Sequence, residues 1–496
     1  MTTIEKNHKL LDIKDFSLAF KDQSLRHEIY KKADLEIAPG EIVGIVGPSG
    51  SGKSVLVRSI FNAWEQQNAE VRGQINFYSG DQTHQLLPAK RGLNHRIYGK
   101  EISLIFQEPK EALDPLSTCR KQIKRLLSKH GFLKSHSFNE LVEPLLKRLQ
   151  LQENNILDKY PHELSGGQAQ RIMILMAIST KPSLLIADEP TTSLDSINQK
   201  EVLDILKELN QNHGTAILMI SHNSMIMSYL GAKMYQLLDR QLTNHGSYKR
   251  EKELPFSPTP TSTSVTLEVK ELTFSYNPKV PILQNISFLM YKGEKLGLVG
   301  LSGSGKSTLA KILAGLLPIN GSCQPLYKPG EIQMVFQHPG QVLDPSQSVI
   351  SVMKEALLIA GVKKKKNRLE KATELLRRVG LVEKLYDLHP HQLSGGQKQR
   401  LCIARSLVNA PKILLADEAI SSLDERIKHE ILLLLNSLVE QNNMSLLYIS
   451  HDIKSVTQLC SRILVIEEGK LVLDTPSTSI EHSENPLLAK LLESEL

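Results

Sequence analysis

Two glycine-rich octapeptides have the residue types and spacing that bind phosphate. The first is Gly-Pro-Ser-Gly-Ser-Gly-Lys-Ser at 47–54, and the second is Gly-Leu-Ser-Gly-Ser-Gly-Lys-Ser at 300–307. Glycines let the backbone turn so that its N–H groups converge on phosphate oxygens. The lysine of each loop can reach the β- and γ-phosphates of a nucleotide, and the serine after it can bind Mg²⁺. The predicted phosphate-binding residues are Gly47, Pro48, Ser49, Gly50, Ser51, Gly52, Lys53 and Ser54, and Gly300, Leu301, Ser302, Gly303, Ser304, Gly305, Lys306 and Ser307.

An Asp-Glu pair follows a short apolar run at two places, after 184–187 and after 413–416. An isolated pair of this kind is more typical of a surface loop, but the apolar runs predict buried strands that end in carboxylates. An aspartate there can hold Mg²⁺ through its waters, and the neighbouring glutamate can accept a proton from an attacking water. The predicted Mg²⁺ ligands are Asp188 and Asp417, and the predicted general bases are Glu189 and Glu418.

The pentapeptide Leu-Ser-Gly-Gly-Gln occurs at 164–168 and again at 393–397. Each copy opens a segment with helical spacing, over 168–179 and 397–408. A serine hydroxyl and glycine N–H groups at a helix start form an anion site. The residues of this second kind of site are Ser165, Gly166, Gly167 and Gln168, and Ser394, Gly395, Gly396 and Gln397.

The elements that must position these motifs also repeat. A strand pattern precedes each glycine loop (41–46 and 295–299), and a helical pattern follows each (55–63 and 308–316). Both copies have the same spacing from the serine of Leu-Ser-Gly-Gly-Gln to the glutamate of the Asp-Glu pair. They also have the same spacing from that glutamate to a histidine. We therefore predict one α/β fold with a mainly parallel central sheet, used twice.

The predicted domains are residues 1–245 and 267–496, joined by a linker at 246–266. Pro255, Pro258 and Pro260 stand among serines and threonines there, which predicts a semi-extended connection without a core. Such a linker is long enough to let the two halves face each other.

Composition argues against a nucleic-acid-binding, disulfide-linked or membrane-spanning protein. The formal charge of +7 on 496 residues is a mild excess, so nucleic acid is not an expected partner. The four cysteines form no C-x-x-C pair, which predicts free thiols in a reducing cytosol. Residues 1–7 lack an apolar signal core, and no apolar stretch approaches the ~18 residues of a membrane span. Any membrane spans would belong to other chains.

The densest basic run is the four lysines at 363–366. Such runs usually form a solvated helix face or loop, which is the expected structure here. Contact with lipid head groups or with an acidic partner is the alternative.

Together the motifs resemble the ATP-binding cassette family, over nearly the whole chain, and Leu-Ser-Gly-Gly-Gln is the most specific of them. The resemblance implies two P-loop NTPase domains, each with a RecA-like core, a β-rich subdomain and a helical signature subdomain. It implies ATP and Mg²⁺ as ligands, and a head-to-tail intramolecular dimer in which each ATP lies between the glycine loop of one half and the signature of the other. One site would pair Lys53 and Glu189 with Ser394, and the other would pair Lys306 and Glu418 with Ser165.

The resemblance also assigns roles by position in the repeat. Gln107 and Gln337 would contact Mg²⁺ and couple to the partner, and His222 and His451 would lie near the γ-phosphate. Asp195 and Asp424 would signal across the dimer, and Phe20 and Tyr276 would stack on adenine.

The halves also differ. Asn223 stands where the second half has Asp452, and we expect little loss because asparagine can still form the hydrogen bond. The sequence Thr191-Thr192 is replaced by Ile420-Ser421, which could modulate the second site. The segment between the loop lysine and the glutamine is shorter in the second half, which predicts a trimmed β-rich subdomain there.

The segments 106–115 and 336–345 resemble the dipeptide, oligopeptide and nickel importer branch of the family. This implies an ATPase on the cytoplasmic face of the membrane that drives uptake of a di- or oligopeptide, nickel or a metal chelate, with two permeases and an extracytoplasmic substrate-binding protein as partners. A tandem vitamin-importer ATPase is the nearest rival. A soluble cassette protein acting on ribosomes or DNA is the other class, but the long charged helical linker and the zinc-binding cysteines of those branches are absent from this sequence.

Overall fold

The computed structural model divides, by its internal contacts, into two compact units. Residues up to 194 and 198–251 form most of the first unit, and residues 252–495 form most of the second. The predicted linker lies largely outside the described residues, so the domain bounds stay a prediction. The described residues are 9–22, 25–48, 50–63, 69–88, 96–151, 155–191, 196–244, 262–277, 280–301, 303–318, 330–337, 339–420, 423, 425–482 and 485–493.

The first half alternates strands and helices after an opening pair of long strands. Its elements are β1 (Leu11–Asp22), β2 (Leu25–Ile37), β3 (Ile42–Val46), α1 (Lys53–Ile60), β4 (Ala69–Ser79), β5 (Gln82–Leu87), β6 (Ile102–Ile105), α2 (Pro109–Ala112), α3 (Cys119–Lys129), α4 (Phe138–Arg148), α5 (Gly166–Ile178), β7 (Leu184–Asp188), α6 (Ser196–His213), β8 (Ala216–Ser221), α7 (Ser224–Leu230), β9 (Lys233–Leu238) and β10 (Gln241–Asn244).

The central sheet of this half has the strand order β10-β9-β3-β8-β7-β6, and every pair except β9–β10 is parallel. Strands β7 and β8 are buried along their whole length, as expected for parallel strands covered on both faces. A separate antiparallel sheet has the order β2-β1-β4-β5. The predicted α/β class with a mainly parallel sheet is confirmed.

The second half repeats this order. Its elements are β11 (Val265–Phe274), β12 (Leu283–Tyr291), β13 (Lys295–Val299), α8 (Lys306–Leu313), β14 (Ile332–Val335), α9 (Pro339–Val342), α10 (Val349–Ile359), α11 (Lys365–Arg378), α12 (Gly395–Ser406), β15 (Ile413–Asp417), α13 (Glu425–Asn442), β16 (Ser445–Ile449), α14 (Ile453–Leu459), β17 (Arg462–Glu467), β18 (Lys470–Pro476) and α15 (Pro486–Glu493).

The central sheet of the second half has the order β14-β15-β16-β13-β17-β18, with only β17–β18 antiparallel. The strand before the glycine loop therefore has the same neighbours as in the first half. Within the described residues the antiparallel sheet here consists of β11 and β12 alone. Residues 319–329, which precede β14, lie outside the described residues, so the trimmed β-rich subdomain stays a prediction.

Helices α2 to α5 form a helical region between β6 and β7, and α9 to α12 form its counterpart between β14 and β15. Helix α4 begins with a capping box, because Ser137 Oγ accepts from the Glu140 N–H and the Glu140 carboxylate accepts from the Ser137 N–H. Among the described residues, no helix combines the length and the apolar character needed to cross a bilayer.

The helices after the two glycine loops begin two residues earlier than the sequence predicts, at Lys53 and Lys306. Gly52 and Gly305 precede them with φ of 104° and 103°, a left-handed conformation that favours glycine. This conformation lets the chain enter the helix directly, so the loop lysine becomes the first helical residue.

Candidate active sites

Each glycine loop connects the middle of the central sheet to a helix, and its lysine folds back over the loop. Lys53 Nζ donates to the carbonyls of Gly47 and Pro48 at 2.7 and 2.9 Å. Lys306 Nζ makes the equivalent bonds to the carbonyls of residues 300 and 301, at 2.9 and 2.8 Å. Both lysines are buried. Each ammonium group is therefore held where phosphate oxygens bound by the loop could replace the carbonyl acceptors.

The loops also have space and polar groups that fit phosphate. Gly50 and Gly303 adopt positive φ, and a Cβ added to either would meet no atom within 4 Å. The hydroxyls of Ser51 and Ser304 are buried, and neither has a hydrogen-bond partner in the described part of the chain. A buried polar atom without a partner at the same place in both loops is consistent with a polar ligand. Ser49 and Ser302 lie outside the described residues.

On its other side, each loop packs closely against the antiparallel sheet. A Cβ on Gly52 would lie 2.4 Å from Ile29 Cγ2, and one on Gly305 would lie 2.7 Å from Leu283 Cδ2. In the first half the Tyr30 hydroxyl also donates to the Gly52 carbonyl at 3.1 Å. Tyr30 was not found from the sequence, since nothing local links β2 to the loop.

The predicted Mg²⁺ ligands of each half are in contact. Ser54 Oγ donates to Asp188 Oδ1 at 3.0 Å, and Ser307 Oγ donates to Asp417 Oδ1 at 3.0 Å. Burial raises the pKa of both aspartates, and the serine hydroxyl opposes this by lowering it. A hydroxyl and a carboxylate are hard oxygen donors of the kind that Mg²⁺ prefers, so these residues fit the ion.

A glutamate, a glutamine and a histidine meet beside each of these pairs, at the carboxyl ends of neighbouring strands. Gln107 Nε2 donates to Glu189 Oε2 at 3.1 Å, and His222 Nδ1 lies 3.5 Å from Glu189 Oε1. In the second half the corresponding distances, for Gln337 and His451 to the carboxylate of Glu418, are 2.6 and 3.6 Å. The structure thus brings together the residues that the sequence placed in these roles.

The backbone at both glutamates departs from the extended conformation of the strand before them. Glu189 has φ of 46° and Glu418 has φ of 44°, a left-handed conformation that is uncommon for residues other than glycine. Each nevertheless donates its N–H to the next strand, to the carbonyls of Ile220 and Ile449 at 2.9 Å. Strained backbone of this kind clusters at functional sites. The turn separates the glutamate from the aspartate before it.

The signature serines begin helices α5 and α12 through complete capping boxes. Ser165 Oγ accepts from the Gln168 N–H at 3.2 Å, and the Gln168 side-chain oxygen accepts from the Ser165 N–H at 3.1 Å. Ser394 and Gln397 make the same two bonds at 3.3 and 2.9 Å. A Cβ on Gly166 would meet no atom within 4 Å. The predicted anion sites are therefore ordered helix N-termini.

Hydrogen bonds that were not predicted from the sequence fix these signature helices. Arg171 Nη2 donates to Glu201 Oε2 of α6 at 2.7 Å, and Arg400 Nη2 donates to Glu430 Oε2 of α13 at 2.9 Å. In the first half Gln170 Nε2 also donates to the Pro190 carbonyl at 2.7 Å, which ties α5 to the turn after Asp188 and Glu189. A repeated Gln-x-Gln-Arg after Leu-Ser-Gly-Gly was the available signal.

The two aromatic residues lie at the end of the first strand of each antiparallel sheet. Phe20 is half-buried on β1, opposite His27 of β2. Tyr276 follows β11, is 61% exposed, and makes an edge-to-face contact with Phe274 at 5.0 Å between ring centroids. A stacking role for either stays a prediction. Asp195 and Asp424 lie outside the described residues.

The differences between the halves have clear structural counterparts. Asn223 Oδ1 accepts from the Met225 N–H at 2.8 Å, and Asp452 Oδ1 accepts from the Ser455 N–H at 3.2 Å, so both cap the following helix as expected. Thr191 Oγ1 accepts from a glutamine of α6, whereas Ile420 is buried in the apolar core. Thr192 and Ser421 lie outside the described residues.

The fold and the paired sites define a P-loop nucleotide hydrolase with two copies of the same catalytic unit. Residues 30–192 and 283–421 both match the ABC transporter family. The chain belongs to this family of ATP-binding, ATP-hydrolysing proteins.

Curated relatives match over almost their whole length. The Uncharacterized ABC transporter ATP-binding protein YejF of Escherichia coli is 33% identical over 95% of this chain and 96% of its own. The Glutathione import ATP-binding protein GsiA of Salmonella choleraesuis is 30% identical over 97% and 89%, and the Peptidoglycan transport ATP-binding protein YejF of Agrobacterium fabrum is 31% identical over 95% and 93%. Among solved structures, the RNase-L Inhibitor covers 93% of this chain at a TM-score of 0.65 and 19% identity, which shows likeness of fold.

Proposed function

We propose that this chain is the ATP-hydrolysing subunit of an importer, and that it drives uptake of a small peptide-like solute through separate membrane permeases. Relatives that span nearly the whole chain carry the names of a glutathione importer and a peptidoglycan transporter, which supports an importer and a solute of this class. Nickel or a metal chelate is the alternative solute. The chain then works at the cytoplasmic face of the membrane, beside two permeases and an extracytoplasmic binding protein.

The observation that carries the ATP-hydrolysing role is the duplicated cluster of glutamate, glutamine and histidine beside a serine–aspartate pair. Two sets of these residues on one polypeptide support an ATPase in which both halves hydrolyse ATP. The likeness to the RNase-L Inhibitor concerns the fold alone, so it gives the ribosomal alternative no support of its own.

We further propose that each ATP lies between the two halves. Lys53, Ser54, Asp188 and Glu189 then share one site with Ser394 and its signature helix, and Lys306, Ser307, Asp417 and Glu418 share the other with Ser165. The capped N-terminus of each signature helix supplies backbone N–H groups for the γ-phosphate. Each half has one glycine loop and one signature helix, so the two halves together can form two such sites.

In each proposed site, different residues bind the phosphates, activate the attacking water and hold Mg²⁺. The loop lysine binds the β- and γ-phosphates, and the glutamate carboxylate accepts a proton from the attacking water. The glutamine that donates to this carboxylate orients it, and the histidine lies beside it to contact the γ-phosphate. Ser54 with Asp188, and Ser307 with Asp417, would hold Mg²⁺, which neutralises charge on the phosphates. Binding of ATP closes the halves and loss of phosphate reopens them, which moves the permeases.

Crossed double variants test the shared sites. With shared sites, Lys53→Ala with Ser394→Ala damages one site and spares the other, whereas Lys53→Ala with Ser165→Ala damages both. If each half were self-contained, the second pair would be the one that spares a site. We expect single-turnover ATP hydrolysis by the purified chain to be clearly faster for the first pair. The opposite order would refute the shared sites.

Recruitment to membranes tests the importer assignment. We expect the chain to stay with the membrane fraction through a high-salt wash only when its permeases are co-expressed, because protein docking survives screening better than surface charge does. Salt-resistant sedimentation with ribosomes, in cells with or without the permeases, would favour the soluble alternative.

A further inference from the structure

The hairpin between α10 and α11 ends in exposed apolar and basic side chains. Leu358 and Ile359, the last two residues of α10, are 52% and 82% exposed. The four lysines at 363–366 follow within a few residues, and all are exposed. We call these six residues the apolar–basic tip. Neither ATP site uses any of them.

Backbone and side-chain hydrogen bonds fix the shape of the tip. The N–H of Gly361 donates to the Leu358 carbonyl at 3.0 Å, and Gly361 has φ of 87°, which reverses the chain. Arg368 Nη1 then donates to the carbonyls of Val362 and Lys363, both at 3.1 Å. Val362 packs against the apolar core. The aliphatic pair and the lysines are therefore held at the same end of the hairpin.

The lysines are placed where they oppose folding. Lys364 is the N-cap of α11, it provides no side-chain cap, and the first turn of the helix contains no acidic residue. Positive charge near a helix N-terminus is unfavourable because the peptide dipoles already make that end positive. In the described part of the chain no carboxylate forms an ion pair with any of the four lysines. Helix stability alone therefore does not account for the run.

The corresponding hairpin of the first half shares the glycine reversal, since Gly131 has φ of 82° and donates its N–H to the Ser128 carbonyl at 3.1 Å. It lacks the exposed aliphatic pair and the run of four lysines. Helix α3 has the same length as α10, and it ends in Ser128 and Lys129 where α10 ends in the aliphatic pair. Helix α4 begins with the Ser137–Glu140 capping box in place of the lysines. The tip is thus specific to the second half, and the first half provides a matched control.

We propose that the apolar–basic tip binds the anionic surface of a lipid bilayer, with the lysines on headgroup phosphates and the aliphatic pair in the interfacial layer. Juxtaposed basic clusters and apolar side chains give two signals for membrane binding, and neither is sufficient alone. An acidic polypeptide would match the lysines but gives no reason for two large aliphatic side chains in water beside them. The inference goes beyond ATP-driven import and does not depend on the solute or the permeases.

Sedimentation of the purified full-length chain with lipid vesicles tests the proposal. We expect salt-sensitive binding to phosphatidylcholine vesicles that contain phosphatidylglycerol, and little binding to phosphatidylcholine alone. Neutralising all four lysines should weaken this binding by about tenfold or more, since each basic residue near an anionic surface contributes separately. The pair Leu358→Ser and Ile359→Ser should weaken it as well. The neutralising variant carries Lys363→Gln, Lys364→Gln, Lys365→Gln and Lys366→Gln.

The matched control removes four exposed lysines from the corresponding region of the first half and should leave binding unchanged. Thermal unfolding checks that the variants fold, and the neutralised tip should unfold at the same temperature as the wild type or higher, because like charges leave a helix N-terminus. Equal binding by the wild type and the neutralised tip would overturn the proposal. So would displacement of the chain from vesicles by poly-L-glutamate with no preference for anionic over neutral lipid, which would indicate an acidic protein partner. The control carries Lys121→Gln, Lys124→Gln, Lys129→Gln and Lys134→Gln.

Discussion

Replacing the two proposed general bases, Glu189 and Glu418, by glutamine tests whether the two halves hydrolyse ATP equally. The change removes the proton acceptor but keeps the shape and an oxygen for the hydrogen bond from Gln107 or Gln337. Nucleotide binding should therefore survive in Glu189→Gln, in Glu418→Gln and in the double variant. The chemical step should be lost wherever the carboxylate is lost.

The expected magnitude follows from the similarity of the two clusters. The serine–aspartate distance is 3.0 Å in both, the histidine–glutamate distances are 3.5 and 3.6 Å, and the glutamine–glutamate distances are 3.1 and 2.6 Å. Because the geometries agree this closely, each site should supply about half of the activity. A positioned general base contributes about 10²- to 10⁴-fold, so each single variant should keep about half of the rate and the double variant about 1% or less.

The assay is phosphate release from ATP and Mg²⁺ by the purified chain, with nucleotide binding measured in parallel. Glu143→Gln, an exposed carboxylate of α4, is the control and should match the wild type. Near wild-type turnover in the double variant would refute the general-base assignment. A single variant as inactive as the double would refute independent sites, and a large difference between the two single variants would refute their equivalence.

Two further predictions concern the glycine loop and a buried thiol. Gly303→Ala should lower the free energy of unfolding by about 1 kcal/mol, because φ is +84° and no atom lies near the new Cβ. Gly305→Ala should lower it by roughly 2 to 4 kcal/mol, because its φ is also positive and the new Cβ would lie 2.7 Å from Leu283. Equal denaturant midpoints for the two variants would contradict this. Burial raises the pKa of Cys402 to about 11, so roughly a thousandth of it is thiolate at pH 8 and iodoacetamide should label it only after denaturation. Rapid labelling of the native protein at pH 8, detected by mass spectrometry, would show that this burial is wrong.

Residues that carry the chemistry in short contiguous motifs could be predicted from the sequence. The loop lysines, the serine–aspartate pairs and the capping serines each depend on a strand or helix that the same local segment encodes. Gln107 and His222 were assigned only by position in a known repeat, and the structure places both at Glu189. Their convergence needs β6, β7 and β8 to lie side by side, which no local pattern specifies.

Other features of the sites depend on contacts between distant segments. The hydrogen bond from Tyr30 to the Gly52 carbonyl joins the antiparallel sheet to the glycine loop, and the Arg171–Glu201 bond joins two helices. The left-handed backbone at Glu189 also runs against the intrinsic preference of glutamate. It is held by the hydrogen bond to Ile220 of the neighbouring strand, so tertiary structure overrides local propensity at that residue.

The two halves are nearly identical at the proposed ATP sites but differ at the helical hairpins. ATP hydrolysis and lipid binding should therefore be separable by mutation. The proposed catalytic clusters lie at the carboxyl ends of the central strands, whereas the apolar–basic tip lies in the helical region between β14 and β15. Neutralising the tip should leave ATP hydrolysis in the absence of lipid unchanged, and Glu418→Gln should leave vesicle binding unchanged. If the halves differed only by drift on the surface, replacing the tip of the second half by that of the first would have no effect on lipid binding. If the tip is a lipid contact, grafting it onto the first half should restore binding to a chain whose own tip has been neutralised.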